Sequence, residues 1–416
     1  MEFKAKADRN LIRAQASSKR YVRVELRAPE APPRAGRMPV NLGLVIDRSG
    51  SMSGTKIEMA RAAVLRAIQT LRPEDRFSVV AYDTAIDVLV PSTKATPEAR
   101  TAAERAVKAL EPGSSTDLCG GWLRGCEQVG LHLADEQLGR CLLLTDGLAN
   151  AGITNHAEIL EHVTALRARQ VTTTTFGVGA DFDEVLLRRM AEAGGGNFYF
   201  IENSAQISDF LAGEVGDMLE VTARDAALVI QTGEGVVVES LNGFRCRRVT
   251  GGTWRVELGS LLSGQTMDPV LALSFPEGTL GSFHAVSIGL VDRGQTLITG
   301  LSVTFRCASH EENDAQPRER AVDRRVAALY AAKAGQEALE LNRDGEYDDA
   351  RRKLEACARR IAEYAGDDAE IAAILEDLKL KAQRVAKSMR AEERKSEYSA
   401  TNASLTLQLA PRFTRH

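Results

Sequence analysis

At 416 residues, the chain is long enough to form two or three domains, each with its own buried core. Its 53 basic and 57 acidic residues give a net charge of −4 and form no Lys/Arg stripe interleaved with aromatic residues, which argues against nucleic-acid binding. The six cysteines lack CxxC or Cys/His spacing, so neither a zinc cluster nor a disulfide framework is expected.

The start of the chain carries charges every few positions and lacks the apolar core of a signal peptide. No stretch reaches the roughly 18 apolar residues that a membrane span needs. These features predict a cytoplasmic protein without a membrane span. The first predicted element is the strand "YVRVELRA", residues 21–28, in which apolar and polar residues alternate. We expect residues 1–37 to contribute this strand to a β-sandwich formed by later residues.

Residues 38–219 alternate short apolar runs with amphipathic stretches, which is typical of an α/β domain with a doubly wound, mostly parallel sheet. The predicted strands are "VNLGLVI", "RFSVVAY", "IDVLV", "RCLLLT", "VTTTTFGVG" and "NFYFI". The helices between them have readable starts. Thr96, Asn155 and Asp183 are predicted N-caps, and Thr55 to Glu58 fits a capping box.

After this domain, residues 220–308 alternate apolar and polar positions with Gly, Pro and Asp turns between them, which predicts an antiparallel β-sandwich. The α/β domain would then be an insertion in that sandwich. Residues 309–400 are rich in Ala, Glu, Arg and Leu at helical period and predict a helical domain or hairpin. Residues 401–416 are expected to be a tail.

The turn "DRSGSMSGTK", residues 47–56, places a carboxylate and three serine hydroxyls directly after a buried strand. A phosphate-binding P-loop is disfavoured because the two glycines are one residue too close and Lys56 follows Thr55. A nucleophile elbow is disfavoured because Met52 stands where GxSxG requires serine. Ser53 to Lys56 matches SxxK, but the partner motifs SDN and KTG are absent.

A metal site fits this turn better, because other loops supply further oxygen donors. Asp47 leaves the first strand of the domain and Asp146 leaves the fourth, and in the order 3-2-1-4-5-6 these strands are neighbours at the switch point of the sheet. Ser49 and Ser51 follow Asp47 at alternate positions, and "GSSTDL" adds Thr116. Oxygen donors without His or Cys suit Mg²⁺. The alternative is that these side chains only cap helices and turns.

At these residues the sequence resembles von Willebrand factor type A (VWA) domains. "DRSGSMSG" matches the D-x-S-x-S motif of that family, Thr116 its single threonine, and Asp146 in "LLTDG" its last aspartate. The resemblance covers about residues 38–219. The surrounding sandwich and helical region resemble bacterial proteins similar to calcium-activated chloride channel regulators and inter-alpha-trypsin inhibitor heavy chains.

The resemblance implies a metal-ion-dependent adhesion site. In it, Asp47, Ser49, Ser51, Thr116 and Asp146 would hold Mg²⁺, with Mn²⁺ and Ca²⁺ as alternatives, and the Asp or Glu of a partner protein would complete the coordination. Where family members usually carry Gly-Gly-Thr-Asn, this chain has Ser115 before Thr116 and Asp117 after it. Asp117 could repel an incoming acid or join the coordination shell, so these two residues are expected to modulate partner binding.

The predicted function is therefore that of a non-enzymatic scaffold for protein–protein interaction. The resemblance also suggests partners, since bacterial relatives act beside MoxR-type AAA+ ATPases or in kinase and phosphatase systems. The alternative from another class is a Mg²⁺-dependent, phosphatase-like hydrolase that uses Asp47, which follows a strand as a phosphoryl acceptor would. Against it, Ser49 stands where a second acid is usually expected.

Overall fold

We describe the chain from a computed structural model. It describes residues 1–29, 39–133, 139–179, 182–201, 221–390, 393, 394, 397, 398 and 401. The predicted domain boundaries at 37/38 and 219/220 and all but the first residue of the predicted tail lie outside these ranges. The chain divides into two compact units, one formed by Met1–Pro32 with Val221–His416 and the other by Pro33–Glu220.

The first unit begins with the strands β1 (Glu2–Ala7), β2 (Leu11–Arg13) and β3 (Ser18–Arg27). Buried and partly exposed residues alternate along β3, as the sequence pattern over residues 21–28 predicts. The sequence analysis did not predict β1 or β2. Strand β2 has only three residues, and they pair in parallel with a strand about 300 residues later in the chain. No local sequence pattern therefore indicates β2.

The second unit contains one six-stranded sheet, in the order β6-β5-β4-β7-β8-β9. Its strands are β4 (Asn41–Asp47), β5 (Arg76–Tyr82), β6 (Ile86–Lys94), β7 (Gly139–Thr145), β8 (Val171–Val178) and β9 (Gly195–Ile201). All neighbours are parallel except β5 and β6, which confirms the predicted doubly wound, mostly parallel sheet and its strand order. Every residue of the central strands β4 and β7 is buried, because helices cover both faces of the sheet.

Five described helices accompany this sheet: α1 (Thr55–Thr70), α2 (Pro97–Lys108), α3 (Leu118–Gly130), α4 (His156–Ala168) and α5 (Glu184–Gly194). The predicted N-caps Thr96, Asn155 and Asp183 are confirmed, since each side chain accepts hydrogen bonds from backbone amides of the first turn. The capping box at Thr55 is wrong. Helix α1 begins one residue earlier than predicted, with Gly54 as its N-cap. Gly54 has a φ of 77°, a backbone conformation that glycine adopts easily and other residues rarely do.

The remaining strands of the first unit are β10 (Val221–Gln231), β11 (Val237–Ser240), β12 (Cys246–Thr250), β13 (Thr253–Leu262), β14 (Thr266–Met267), β15 (Val270–Phe275), β16 (Phe283–Asp292) and β17 (Gln295–Ala308). They form two sheets with the N-terminal strands. One has the order β1-β3-β15-β11, with β14 also on β3, and the other the order β12-β13-β10-β16-β17-β2. Residues of both sheets share one buried apolar cluster, as in a sandwich.

The first unit ends in helices α6 (His310–Ala315), α7 (Arg320–Arg343), α8 (Tyr347–Ala365) and α9 (Ala369–Val385). Helix α7 packs on the sandwich through a cluster that includes Val322, Val326 and Val270 of β15. Within the same unit, α7, α8 and α9 share an apolar core. Among the described residues, no helix combines the length and apolar character that crossing a bilayer requires.

Candidate functional site

Asp47 is the last residue of β4 and is fully buried at the carboxyl edge of the sheet. The backbone amide of Ser49 donates a hydrogen bond to Asp47 Oδ1 at 2.8 Å. The Thr145 hydroxyl, at the end of the neighbouring strand β7, donates to Asp47 Oδ2 at 2.6 Å. Both carboxylate oxygens thus accept hydrogen bonds, one from the loop after β4 and one from the end of β7.

The two serines after Asp47 connect it to Asp146. A 3-10 turn over Gly50–Met52 curls the chain, and the hydroxyls of Ser49 and Ser51 lie 3.1 Å apart. Ser51 Oγ donates to Asp146 Oδ1 at 2.8 Å. Hence the motif that follows β4 reaches the carboxylate that follows β7, as the predicted strand order requires.

Asp146 is as deeply buried as Asp47 and forms an ion pair that the sequence analysis did not anticipate. Lys56 Nζ, from the first turn of α1, lies 2.5 Å from Asp146 Oδ2. Both oxygens of Asp146 therefore have a partner, a serine hydroxyl on one side and an ammonium group on the other.

Thr116 joins the same site from the loop before α3. Its backbone amide donates to Asn150 Oδ1 at 2.7 Å, and its carbonyl oxygen accepts from the backbone amides of Asn150 and Ala151 at 3.2 Å. A Cβ atom at Gly147 would lie 3.1 Å from Thr116 Oγ1 and 3.4 Å from Asp47 Oδ2, so these two oxygens flank the same small space. The structure thus brings together Asp47, Ser49, Ser51, Thr116 and Asp146.

The loop that carries Thr116 is held by residues that follow β5, which sequence reasoning missed. Asp83 Oδ2 accepts from the Ser114 amide at 3.3 Å, and the Asp83 carbonyl accepts from the Asp117 amide at 2.9 Å. Thr84 Oγ1 accepts from the Ser115 amide at 3.2 Å. Burial raises the pKa of Asp83, but the hydrogen bond from the Ala85 amide and the charge of Arg48 outweigh it, so the net pKa is lowered.

The two residues expected to modulate partner binding have different positions. Asp117 is the N-cap of α3, and its Oδ1 accepts from the Gly120 amide at 2.9 Å. The same carboxylate packs against Gly152, where a Cβ atom would lie only 2.3 Å from Oδ1. Ser115 is exposed. The carboxylate of Asp117 is thus engaged by the start of its own helix.

The buried carboxylates at this edge carry an electrostatic cost. Burial raises the pKa of Asp47, and the neighbouring charge of Asp146 raises it further, against the hydrogen bonds from Thr145 and Ser49. Burial and the charge of Asp47 also raise the pKa of Tyr82, the last residue of β5. The Tyr82 hydroxyl is buried and has no hydrogen-bond partner of acceptable geometry among the described residues. An additional polar or cationic group at this edge would lower the cost of burying the Asp47 carboxylate and the Tyr82 hydroxyl.

The donors at this site are carboxylate and hydroxyl oxygens, which are the ligand types that Mg²⁺ prefers in proteins. In the part of the chain that the structure describes, no three His, Cys, Asp or Glu side chains cluster as a metal site. A cation here would therefore depend on serine and threonine oxygens beside two carboxylates. Two carboxylates buried at the same edge, those of Asp47 and Asp146, fit the presence of such a cation.

Residues 41–212 match the sequence profile of the von Willebrand factor type A domain family. The match begins at β4, which delivers Asp47, and includes every residue of the site described above. The chain contains a von Willebrand factor type A domain. This confirms the resemblance seen in the sequence motifs, and such domains are commonly protein-interaction modules.

The VWA domain is also where relatives align. The chain is 29% identical over 201 residues to the uncharacterized protein YfbK of Escherichia coli (strain K12), covering 48% of this chain and 35% of that protein. It is 37% identical over 142 residues to inter-alpha-trypsin inhibitor heavy chain H3 of Rattus norvegicus, covering 32% of this chain and 16% of that protein. The alignments thus span less than half the length of these relatives.

Two solved structures resemble the chain beyond its VWA domain. A von Willebrand factor type A protein from Catenulispora acidiphila matches with a TM-score of 0.72 and 20% identity, over 97% of this chain and 96% of that one. The ArnB paralog VWA2 from Sulfolobus acidocaldarius matches with a TM-score of 0.62 and 17% identity, over 98% and 99%. At these identities the likeness shows the fold alone.

Proposed function

We propose that this chain is a non-enzymatic scaffold whose VWA domain binds a partner protein through a divalent cation. The observation that carries the proposal is the convergence of five oxygen-bearing side chains from three loops at one edge of the sheet. They are Asp47, Ser49, Ser51, Thr116 and Asp146. A purely structural role for these residues would not require three separate loops to direct hydroxyls and carboxylates toward each other.

These five residues would hold Mg²⁺, directly or through water, with Mn²⁺ or Ca²⁺ as alternatives. When bound, the ion would act as a Lewis acid toward one external oxygen ligand. Because only Asp47 and Asp146 among the donors carry negative charge, they would bring no more than two negative charges to the divalent ion, which would leave it able to accept a carboxylate from outside. A partner that presents Asp or Glu therefore fits this chemistry.

The surface beside the site suits protein docking. Ser51 is exposed, and Leu148, two residues after Asp146, is an apolar side chain with 53% of its surface exposed. An exposed apolar side chain beside an ion that attracts carboxylates would give a partner both an anchor and a packing contact. MoxR-type AAA+ ATPases and components of kinase or phosphatase systems are candidate partners by resemblance.

We place the protein in the cytoplasm in this proposal. All six cysteines are free thiols, and four of them are buried. Free thiols throughout a chain of this size suit a reducing compartment, where disulfides are rare.

The hydrolase alternative is less well supported by the geometry of Asp47. A phosphoryl acceptor must approach phosphorus with a carboxylate oxygen, but Asp47 is fully buried and both of its oxygens accept hydrogen bonds. Phosphatase assays with Mg²⁺ test this alternative. Activity that Asp47→Ala abolishes would support a hydrolase, whereas no activity above background is expected.

The test of the binding function is a pull-down of partner proteins by the full chain in Mg²⁺ and in EDTA. We expect EDTA and Asp146→Ala each to abolish capture of the same partner, because both remove the ion. Glu161→Ala, an exposed carboxylate in α4, is the matched control and should retain it. Circular dichroism checks that each variant is folded. Partner retention under both treatments would place recognition outside the metal site.

A further inference from the structure

Lys56 occupies a position where helices disfavour a cation. It is the second residue of α1, and the amino end of a helix carries a partial positive charge that repels lysine. Its ammonium group lies 2.5 Å from Asp146 Oδ2, and the side-chain exposures are 20% for Lys56 and 0% for Asp146. The pairing with a buried carboxylate thus compensates for the unfavourable position.

The fold leaves room for this lysine. Gly179, the residue directly after β8, has a φ of 73°, and a Cβ atom there would lie 2.8 Å from Lys56 Cε. With any larger residue at this position, the end of the Lys56 side chain would have to shift. Glycine therefore permits both the left-handed backbone and the passage of the lysine toward Asp146.

The charges at the site explain what Lys56 does. Asp47 is held by neutral donors, the Ser49 amide and the Thr145 hydroxyl. Asp146 is held by the Ser51 hydroxyl and the Lys56 ammonium. In this arrangement Lys56 supplies the positive charge that balances one of two buried carboxylates, and it does so on an oxygen of a proposed metal ligand.

We propose that Lys56 is a built-in counter-cation that competes with the divalent ion for Asp146. The inference rests on the proposed metal site. Without metal, Lys56 stabilises the buried carboxylate. With metal, the ion takes over that neutralisation and must overcome the existing ion pair, so Lys56 weakens the affinity for the ion while protecting the metal-free fold.

The experiment compares the full chain with Lys56→Met, which keeps the aliphatic stem and removes the charge. Mg²⁺ affinity is measured by isothermal titration calorimetry, and the Tm is measured in metal-free buffer and in saturating Mg²⁺. Lys56→Arg keeps the charge, and Lys108→Met removes an exposed lysine that pairs with Glu104 on the surface of α2. Both serve as controls.

We expect Lys56→Met to bind Mg²⁺ roughly 10- to 100-fold more tightly, on the scale of a hydrogen bond between charged groups. Its Tm should fall below that of the unsubstituted chain without metal and equal or exceed it with saturating Mg²⁺. Lys56→Arg and Lys108→Met should stay within about threefold in affinity. If Lys56 had only a structural role, Lys56→Met would lower the Tm in both conditions and leave the Mg²⁺ affinity unchanged.

The outcomes separate this inference from the proposed function. If the unsubstituted chain binds Mg²⁺ and Lys56→Met binds it equally or more weakly, the proposed role of Lys56 is overturned and the metal site stands. Binding by Lys56→Met alone supports Lys56 as the competing cation, and binding by neither variant overturns both proposals. If Lys56→Met does not fold in either buffer, Lys56→Gln, which keeps a donor for Asp146, undergoes the same titration with the same criterion.

Discussion

Asp47 illustrates how a single position determines the properties of this site. It ends a strand whose residues are all buried, so its carboxylate is removed from water where the metal site is proposed. Burial and the nearby charge of Asp146 raise the pKa of Asp47, whose ordinary value is 3.8. The metal-free fold therefore favours the protonated form of Asp47 more than the unfolded chain does.

This pKa shift predicts a pH dependence of stability in metal-free buffer. A carboxyl group with a raised pKa in the folded state contributes stability that is fully present below its unfolded pKa, about 4, and is lost as pH rises through the folded pKa. The free energy of unfolding of the unsubstituted chain should therefore fall relative to Asp47→Asn as pH rises above about 4. Denaturant unfolding across pH measures this difference.

Saturating Mg²⁺ provides the internal control for that comparison. The ion should reverse the order at neutral pH, because only the unsubstituted chain keeps both carboxylates for it. A difference between the two proteins that stays constant with pH in metal-free buffer would contradict the assigned burial cost of Asp47.

The residues that sequence reasoning missed act through contacts with distant parts of the chain. Lys56 reaches Asp146 across 90 positions, and Thr145 reaches Asp47 across 98. Asp83 supports the loop of Thr116 about 31 positions later. In sequence, Lys56 follows a turn like an ordinary surface lysine, and nothing local distinguishes it.

At the scale of elements, helix α7 is anchored at its start by a buried ion pair. Arg318 Nε and Nη2 donate to the two oxygens of Asp323 at 2.7 Å and 2.6 Å, and Asp323 is 1% exposed. The same guanidinium lies 4.9 Å from the ring centre of Tyr364 in α8. One arginine thus connects the beginning of α7 with the end of α8.

Breaking this pair should destabilise the helical part of the first unit. We expect Asp323→Asn to lower the free energy of unfolding by about 3 kcal/mol, because a partly buried guanidinium loses its bidentate partner. Asp349→Asn, which breaks an exposed pair with Arg352 in α8, is the matched control and should cost about 0–1 kcal/mol. Urea unfolding followed by circular dichroism measures both. Equal effects of the two substitutions would show that the Arg318 pair contributes little.

At the scale of the whole molecule, the chain forms two compact units, and the one with the sandwich is discontinuous in sequence. Each unit has its own apolar clusters, on the two faces of the α/β sheet in one and between the sandwich sheets and around the helices in the other. Separate cores allow separate unfolding transitions.

Calorimetry should therefore resolve two transitions that respond to different changes. Mg²⁺ at about 100 times its Kd should stabilise the VWA transition by about 2.7 kcal/mol and leave the other in place. Asp146→Ala should abolish that shift, whereas Asp323→Asn should lower only the other transition. A single transition, or a Mg²⁺ shift of both, would contradict independent cores.

Much of the α/β unit was predictable because its elements are encoded by local patterns. Continuous apolar runs predicted β4 and β7 as strands covered on both faces, and the structure confirms them. The short strands β12 and β14 of the sandwich were not predicted. They have five and two residues, too few for a periodic signal, and exist because neighbouring strands supply hydrogen-bond partners.

Periodicity and turn residues determined the kind and order of the elements, and they placed Asp47 and Asp146 at the ends of neighbouring strands, because strand ends in a parallel sheet share one edge. The tertiary structure alone decided that Lys56 pairs with Asp146, that Thr145 holds Asp47, and that Asp117 caps α3. These contacts depend on how the loops fold across the edge of the sheet. The first two join side chains that are far apart in the chain, so local sequence patterns do not indicate them.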